Sequence, residues 1–303
     1  MRPGLRVPRA AFFSLMSVSS LFASTPAPAA DSCAARKLSI LTWNVWFEPL
    51  EYSTRVNEIF RQCSVLKPDI IAFQEVLPPF VQALQHEAWA SEYAMSDTDG
   101  STVNPYGVIM MSKLPAVLSA HQMPSRMGRI LLTADVSIGE QGGGGGTLRV
   151  GTVHLESLDN PGYREKQLKV AAEKLSQSST AILVGDFNFC SERSWAEGRA
   201  LGREGRANDS ELENDVLKRV LPEYVDLWSS LRGGDKGYTF DSTRNGVIRQ
   251  YEQMRYDRAM AKLGEGWKAT SIEMVGTEAI EGQPDWLRPS DHFGLLVTLE
   301  ADG

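Results

Sequence analysis

Four apolar runs in this chain each stop on a polar residue, and that repetition constrains the fold more than any other feature. Lys37-Leu-Ser-Ile-Leu-Thr-Trp-Asn ends at Asn44, and Asp69-Ile-Ile-Ala-Phe-Gln-Glu ends at Glu75. Leu148–His154 ends at His154, and Ala181-Ile-Leu-Val-Gly-Asp ends at Asp186. Alternation and β-branching make each run a strand. A single polar strand end is ordinary. Four in succession imply strand ends that converge on one pocket.

Between these runs, the pattern predicts helices over Ser53–Gln62, about Pro79–Trp89 and about Tyr163–Ser176. Further strands are expected at Tyr106–Met111 and Arg129–Ile138, with short ones around Tyr238, Tyr256 and Phe293. The glycine run Gly142–Gly146 sits between two strand patterns of similar length and reads as a hairpin tip. The segment Arg193–Leu221 is polar and helical in character, and no internal repeat is present. Many strands with few helices predict an α/β chain of two packed sheets flanked by helices. A Rossmann arrangement is excluded, because regular strand–helix alternation and a Gly-rich first turn are both missing.

Residues 1–30 stand apart. They carry Arg2, Arg6 and Arg9 with no acid, then an apolar block Ala10–Ala23 and an Ala-x-Ala segment at Ala27–Ala29. This is the pattern of a secretory signal peptide, with a mitochondrial presequence as the alternative. The expected organisation is a leader over 1–30 and a catalytic domain over 31–303. The apolar block is short for a membrane span, so no stable membrane insertion is expected. The formal charge is −7, so a polyanionic substrate needs a local positive cleft or cations held in the site. The three cysteines, Cys33, Cys63 and Cys190, have neither a disulfide-framework count nor zinc spacing.

The chemistry concentrates in a few motifs. In Val184-Gly-Asp-Phe-Asn, Asp186 can accept a proton from water while Asn188 donates to a phosphoryl oxygen. The same pair equally suits an Asx turn after a strand. Pro289-Ser-Asp-His-Phe-Gly sets Asp291, a candidate metal ligand, beside His292, a candidate acid or donor. In Met254-Arg-Tyr-Asp-Arg, Asp257 can hold an imidazole in its charged form or pair with a neighbouring arginine. Glu75 suits a hard divalent ion that keeps most of its waters, which points to Mg²⁺ or Mn²⁺ and away from zinc. His154 is a natural donor to phosphate. His86 and His121 lie outside every motif and read as ordinary helix or loop residues.

In chain order, Thr42-Trp-Asn-Val-Trp, Phe73-Gln-Glu-Val, Val150-Gly-Thr-Val-His, Gly185-Asp-Phe-Asn, Tyr256-Asp-Arg and Ser290-Asp-His-Phe-Gly resemble the endonuclease/exonuclease/phosphatase superfamily. The resemblance spans Leu38 to Leu299 and implies a DNase I-like, four-layer α/β sandwich. Within it, Pro124-Ser-Arg-Met-Gly-Arg, His154-Leu-Glu-Ser, Gly237-Tyr-Thr-Phe-Asp-Ser and Arg255-Tyr-Asp-Arg are similar to the 5′-tyrosyl-DNA phosphodiesterase branch. That likeness implies a Mg²⁺ site at Glu75, oriented by Asn44, with Asp291 in the metal's shell. It implies Asp186 and Asn188 positioning the attacking water, and His154 and His292 stabilising pentavalent phosphorus with Asp257 holding His292. The implied substrate is a phosphodiester such as a DNA 5′ end or protein–DNA adduct, acted on by a monomer.

Three positions depart from the branch. Trp46 stands where abasic-site endonucleases carry an acid, Phe240 where the branch often has Trp, and Cys190 where animal members have Arg. The alternatives in the same fold are an exported nuclease, a phosphatase and a sphingomyelinase-like lipid phosphodiesterase. A binding module that has lost catalysis is a further alternative, although Glu75, Asp186, Asn188 and His292 are all retained.

Overall fold

The computed structural model describes residues 37–138, 146–194 and 212–301. The leader over 1–30, the glycines at 142–145 and most of the polar stretch after Arg193 lie outside these residues. In chain order the strands are β1 (Lys37–Asn44), β2 (Ile70–Val76), β3 (Ala94–Met95), β4 (Gly107–Ser112), β5 (Ala116–Gln122), β6 (Ile130–Ile138) and β7 (Gly146–His154). They continue with β8 (Thr180–Asp186), β9 (Val225–Asp226), β10 (Phe240–Asp241), β11 (Gln253–Met254), β12 (Asp257–Lys262), β13 (Trp267–Val275) and β14 (Gly294–Ala301). Two six-stranded sheets result, ordered β13-β14-β1-β2-β4-β3 and β5-β6-β7-β8-β12-β9, beside the small β10–β11 pair.

Period-two alternation explains how the sheets stack. Leu38 and Ile40 of β1 and Ile70 and Ala72 of β2 face Val150, Ile182, Val184 and Ala259 of the second sheet in one buried cluster. The opposite face of the first sheet presents Leu41, Trp43, Ile71 and Phe73 to helix α1 (Tyr52–Leu66), which buries Val56, Ile59, Phe60 and Cys63. Lys67, in the left-handed region at φ 48°, ends that helix, and Pro68 follows it. Helix α2 (Pro78–Leu84) adds Phe80 and Val81 to the same layer. Behind the second sheet, α3 (Pro161–Leu175) lays Leu168, Ala171 and Leu175 over Leu131, Val153 and Leu183. The order helix, sheet, sheet, helix is the expected four-layer sandwich.

The differences from the sequence expectation are local. Trp89 belongs to a separate 3₁₀ turn, Ala88–Glu92, because α2 stops at Leu84. β5 and β13 were not expected as strands. Both are edge strands with mixed exposure, so neither has a clean apolar alternation. His121 accordingly sits on β5, where its Nε2 lies 2.9 Å from Thr133 Oγ1, and not in a helix or loop. The hairpin reading is met in the pairing of β6 with β7, which runs to Ile138 opposite Gly146.

Candidate active site

Strand direction gathers the polar ends. β1 and β2 run parallel with Asn44 opposite Gln74, and β7 and β8 run parallel with His154 opposite Asp186. β14 is antiparallel to β1 and β12 is antiparallel to β8, so both begin where those strands stop. Asp291 and His292 just before β14, and Asp257 opposite Asp186, are therefore delivered to the same end. Alternation supplies the side-chain direction: Leu38, Ile40, Thr42 and Asn44 share a parity, as do Ile182, Val184 and Asp186, and the apolar members of each set lie in the inter-sheet core.

Glu75 breaks this rule. Strict alternation would put it on the face of Phe73, against the helix layer. The β2–β4 register shifts between Phe73 and Val76, and Glu75 takes φ 59°, a left-handed conformation uncommon outside glycine. The bulge turns its carboxylate into the space between the sheets, 3.9 Å from His154 Nε2, where Phe47 N–H donates to Oε2 at 3.2 Å. Asn188, at φ 57°, makes a comparable local exception. Its backbone N–H donates to Asp186 Oδ1 at 2.8 Å and its carboxamide donates to Leu155 O at 3.0 Å. The Asx turn anticipated as the bland alternative is thus real. It also fixes one oxygen of Asp186 and leaves the other pointing into the site.

That second oxygen is the hub. Asp186 Oδ2 accepts from Asn44 Nδ2 at 3.0 Å, joining the two sheets, and lies 3.4 Å from His154 Nε2 and 4.0 Å from His292 Nε2. His292 Nδ1 donates to Asp257 Oδ2 at 2.8 Å. The imidazole is further fixed by Phe240, whose ring meets it edge-on at 5.1 Å. Its backbone is tied down too: Trp43 Nε1 donates to His292 O, and His292 N–H donates to Ser290 Oγ. All eight residues expected from sequence meet at this one end of the sandwich.

The two histidines are in opposite electrostatic states. Burial disfavours a charged ring at His292, but Asp257, its hydrogen bond, and the charges of Asp291 and Asp186 overcome it and hold the pKa well above the usual imidazole range. Asp257 Oδ1 has no hydrogen-bond partner among the described residues, which concentrates its charge on that pair. At His154 burial acts with the cation of Arg129 and charged His292, and the pKa falls well below the usual range. Arg129 Nη1 lies 3.1 Å from His154 Nδ1. Arg129 Nη2 likewise lies 3.2 Å from Nε2, but only Nε2 also faces an acceptor, Asp186 Oδ2 at 3.4 Å, so the tautomer that fits carries its proton on Nε2.

The carboxylates show what the site lacks as a bare protein. Burial, then the negative charge of Asp291, raises Glu75 to about 7. Burial likewise raises Asp291 to about 6, against the opposing pull of His292 and Arg55. Asp186 is also raised, chiefly by burial. Carboxylates largely withdrawn from water that push one another toward protonation suit a cation, and an all-oxygen donor set suits a hard one. Among the described residues no three His, Cys, Asp or Glu side chains converge tightly enough to enclose a metal. Glu75 and Asp291, with Asn44 beside them, are the donors here that could hold such an ion.

Sequence reasoning assigned no role to several residues that build this site. Gln74 donates to Thr152 Oγ1 across the sheets at 3.1 Å, beneath the catalytic layer. Arg129, 6% exposed, stacks on Tyr106 at 5.2 Å and brings a buried cation to the pocket wall. Arg55 is wholly buried and donates to the carbonyls of Val45, Trp46, Glu48, Leu50 and Pro289. Each contact is long-range or backbone-directed, and neither leaves a local sequence pattern. Cys190 is 1% exposed and accepts from Arg255 N–H at 3.3 Å, so it faces the core.

A profile of the "Endonuclease/Exonuclease/phosphatase family" matches residues 41–292, which takes in all the polar strand ends. The chain belongs to the endonuclease/exonuclease/phosphatase family. Among its relatives, tyrosyl-DNA phosphodiesterase 2 of Gallus gallus is 29% identical over 281 residues, covering 86% of this chain and 66% of that protein. The Homo sapiens protein of the same name is 29% identical over 279 residues, covering 86% of this chain and 68% of that one. The chain thus spans about two thirds of the length of these curated relatives. The same fold occurs in D. rerio TDP2 complexed with single-strand DNA product, at TM-score 0.67 and 24% identity, covering 88% of this chain and 99% of that chain.

Proposed function

We propose that this family member is a metal-dependent phosphodiesterase of the 5′-tyrosyl-DNA type, with Mg²⁺ as its ion and Mn²⁺ as substitute. The observation that carries the reading is the Asn44–Asp186 bond between the sheets, flanked by a neutral His154 and a charged His292. Asp186, its carboxylate made more basic by burial, is placed to take the proton of an attacking water, and Asn188 fixes its orientation. His292, held as imidazolium by Asp257, and the Nε2–H of His154 donate to the phosphoryl oxygens as charge grows on them. Glu75 and Asp291, with Asn44, would hold the ion, which when bound supplies Lewis-acid neutralisation of the phosphate charge.

The relatives named tyrosyl-DNA phosphodiesterase 2, and the complex of D. rerio TDP2 with single-strand DNA product, support a DNA substrate. The Arg-led leader with its Ala-x-Ala segment supports export, and no helix among the described residues is long and apolar enough to cross a membrane. The test is incubation with Mg²⁺ and a 5′-phosphotyrosyl oligonucleotide, beside an unmodified oligonucleotide and sphingomyelin. Release of tyrosine leaving a 5′-phosphate is the expected result. Cleavage of only the other substrates would retain the chemistry and overturn the substrate.

A further inference from the structure

A second cluster of buried cations lies on the far side of the second sheet. Asp257 pairs with Asp186 and both turn inward, so Arg258, opposite Gly185, turns outward. There Arg258 and Arg255 line a cavity of about 300 Å³ together with Asp226, Asn214, Tyr224 and Met260. Asp226 serves both guanidiniums, taking Arg255 Nη1 at 2.8 Å and Arg258 Nη2 at 2.5 Å. Arg255 is completed by the hydroxyls of Ser191 and Ser229. Arg258 is not: Nη2 also donates to Asn214 Oδ1 at 2.8 Å, but Nε and Nη1 are buried with no partner among the described residues.

Two buried guanidiniums thus share one carboxylate, in a side-chain pair only 1% and 4% exposed. Leaving charged donors buried and unpaired is costly, and each such group in a native structure calls for an explanation, an unplaced ion among them. Burial lowers Arg258 to about 10, opposed by Asp226 and reinforced by Arg255, so the site favours an added negative charge. We propose that this cavity binds a phosphate-class oxyanion, separately from the catalytic centre. Guanidinium donors match a tetrahedral oxyanion, and such charge-assisted bonds are the strong ones. The cavity exceeds one phosphate, and Leu217, Leu221 and Pro222 on its wall can cover the ring of a small phosphomonoester.

Thermal unfolding in chelator tests this, comparing sodium phosphate and deoxyadenosine 5′-monophosphate with chloride at matched ionic strength. Both anions should raise the Tm of the wild type and of His292→Ala alike. Arg258→Lys keeps the pairing with Asp226 but removes donors, and should need about tenfold more phosphate for the same rise. A stronger response to the ester identifies a phosphomonoester ligand, and an equal response identifies free phosphate. Loss of the effect in His292→Ala with retention in Arg258→Lys would place the anion in the catalytic centre and overturn the proposal, as would no response to either anion. Should Arg258→Lys not fold, tungstate soaked into wild-type crystals decides: anomalous density beside Arg258 supports the site, and its absence there refutes it.

Discussion

Replacing Glu75 with Gln should make the metal-free protein more stable while removing its response to metal. The variant keeps an oxygen for the Phe47 N–H and loses only the ionised charge. Each pKa unit is worth about 1.4 kcal/mol, so raising the carboxyl from 4.5 to about 7 makes its ionised form cost about 3 kcal/mol in the fold. Between those values the folded protein holds a proton that the unfolded chain has lost. Stability of the metal-free wild type therefore falls as pH rises through that window, and Gln escapes the loss. The variant's advantage should be about 3 kcal/mol near pH 8 and about 1 kcal/mol or less near pH 5, where the folded carboxyl is still protonated and pH has risen only slightly above the unfolded value of 4.5. For a chain of this size the upper figure is a Tm rise of about 6–12 °C. Differential scanning calorimetry in chelator at the two pH values measures it. Added Mg²⁺ should raise the Tm of the wild type and leave the variant unmoved. A variant no more stable than the wild type near pH 8, or equally stabilised by Mg²⁺, would refute the reading of Glu75 as a carboxylate held ready for a cation.

The catalytic pair is tested by Asp186→Asn and His292→Ala, each of which should cut turnover by about 10²- to 10⁴-fold with circular dichroism unchanged; near-normal rates in either would remove the mechanism. Asp257→Asn takes away the charge that holds His292 protonated, so activity should be lost at lower pH on the alkaline limb of the rate profile. An unmoved limb would mean that His292 does not act as imidazolium. Gly185→Ala places a Cβ against the carbonyl of Val153 at φ 130°, and should cost at least about 2 kcal/mol in urea unfolding. A smaller loss would show that β7 and β8 can part at this point.

Much of this architecture was legible because alternation is local. The parity that puts Ile182 and Val184 in the core also fixes the direction of Asp186, and the same holds from Leu38 to Asn44. Strand order required no pairing information for the ends to be recognised as a set. Glu75 shows the limit: its parity alone sends it to the wrong face, and the bulge that corrects it arises from pairing with β4, more than thirty residues on. The protonation states were equally out of reach. His154 is kept neutral by burial and by Arg129, which stands just before β6, and the edge strands β5 and β13 carry too much polar exposure for their pattern to declare them.

On the proposed reading an acidic chain acts on a polyanion and must solve a charge problem locally, and the departure at Trp46 belongs to the solution. Its ring lies 4.4 Å over the guanidinium of Arg55, with Trp46 itself left-handed at φ 58°. Covered in this way, Arg55 spends its donors on carbonyls from the loop after β1 and from Pro289, so one cation sets the spacing of Asn44 and Asp291. Its charge remains available to Asp291 and Glu75, which act on it in turn. Around the pocket stand three cations, Arg55, Arg129 and His292, against four carboxylates, Glu75, Asp186, Asp257 and Asp291. With all four carboxylates ionised, as a bound cation would favour, the protein's own groups are one positive charge short of neutrality there. A divalent ion would reverse that to a single positive excess, equal and opposite to the charge of one phosphodiester. In this arrangement affinity for the substrate and affinity for the metal are one electrostatic property. The chain can keep its net charge of −7 and still draw a phosphodiester to the end of the sandwich where the strands converge.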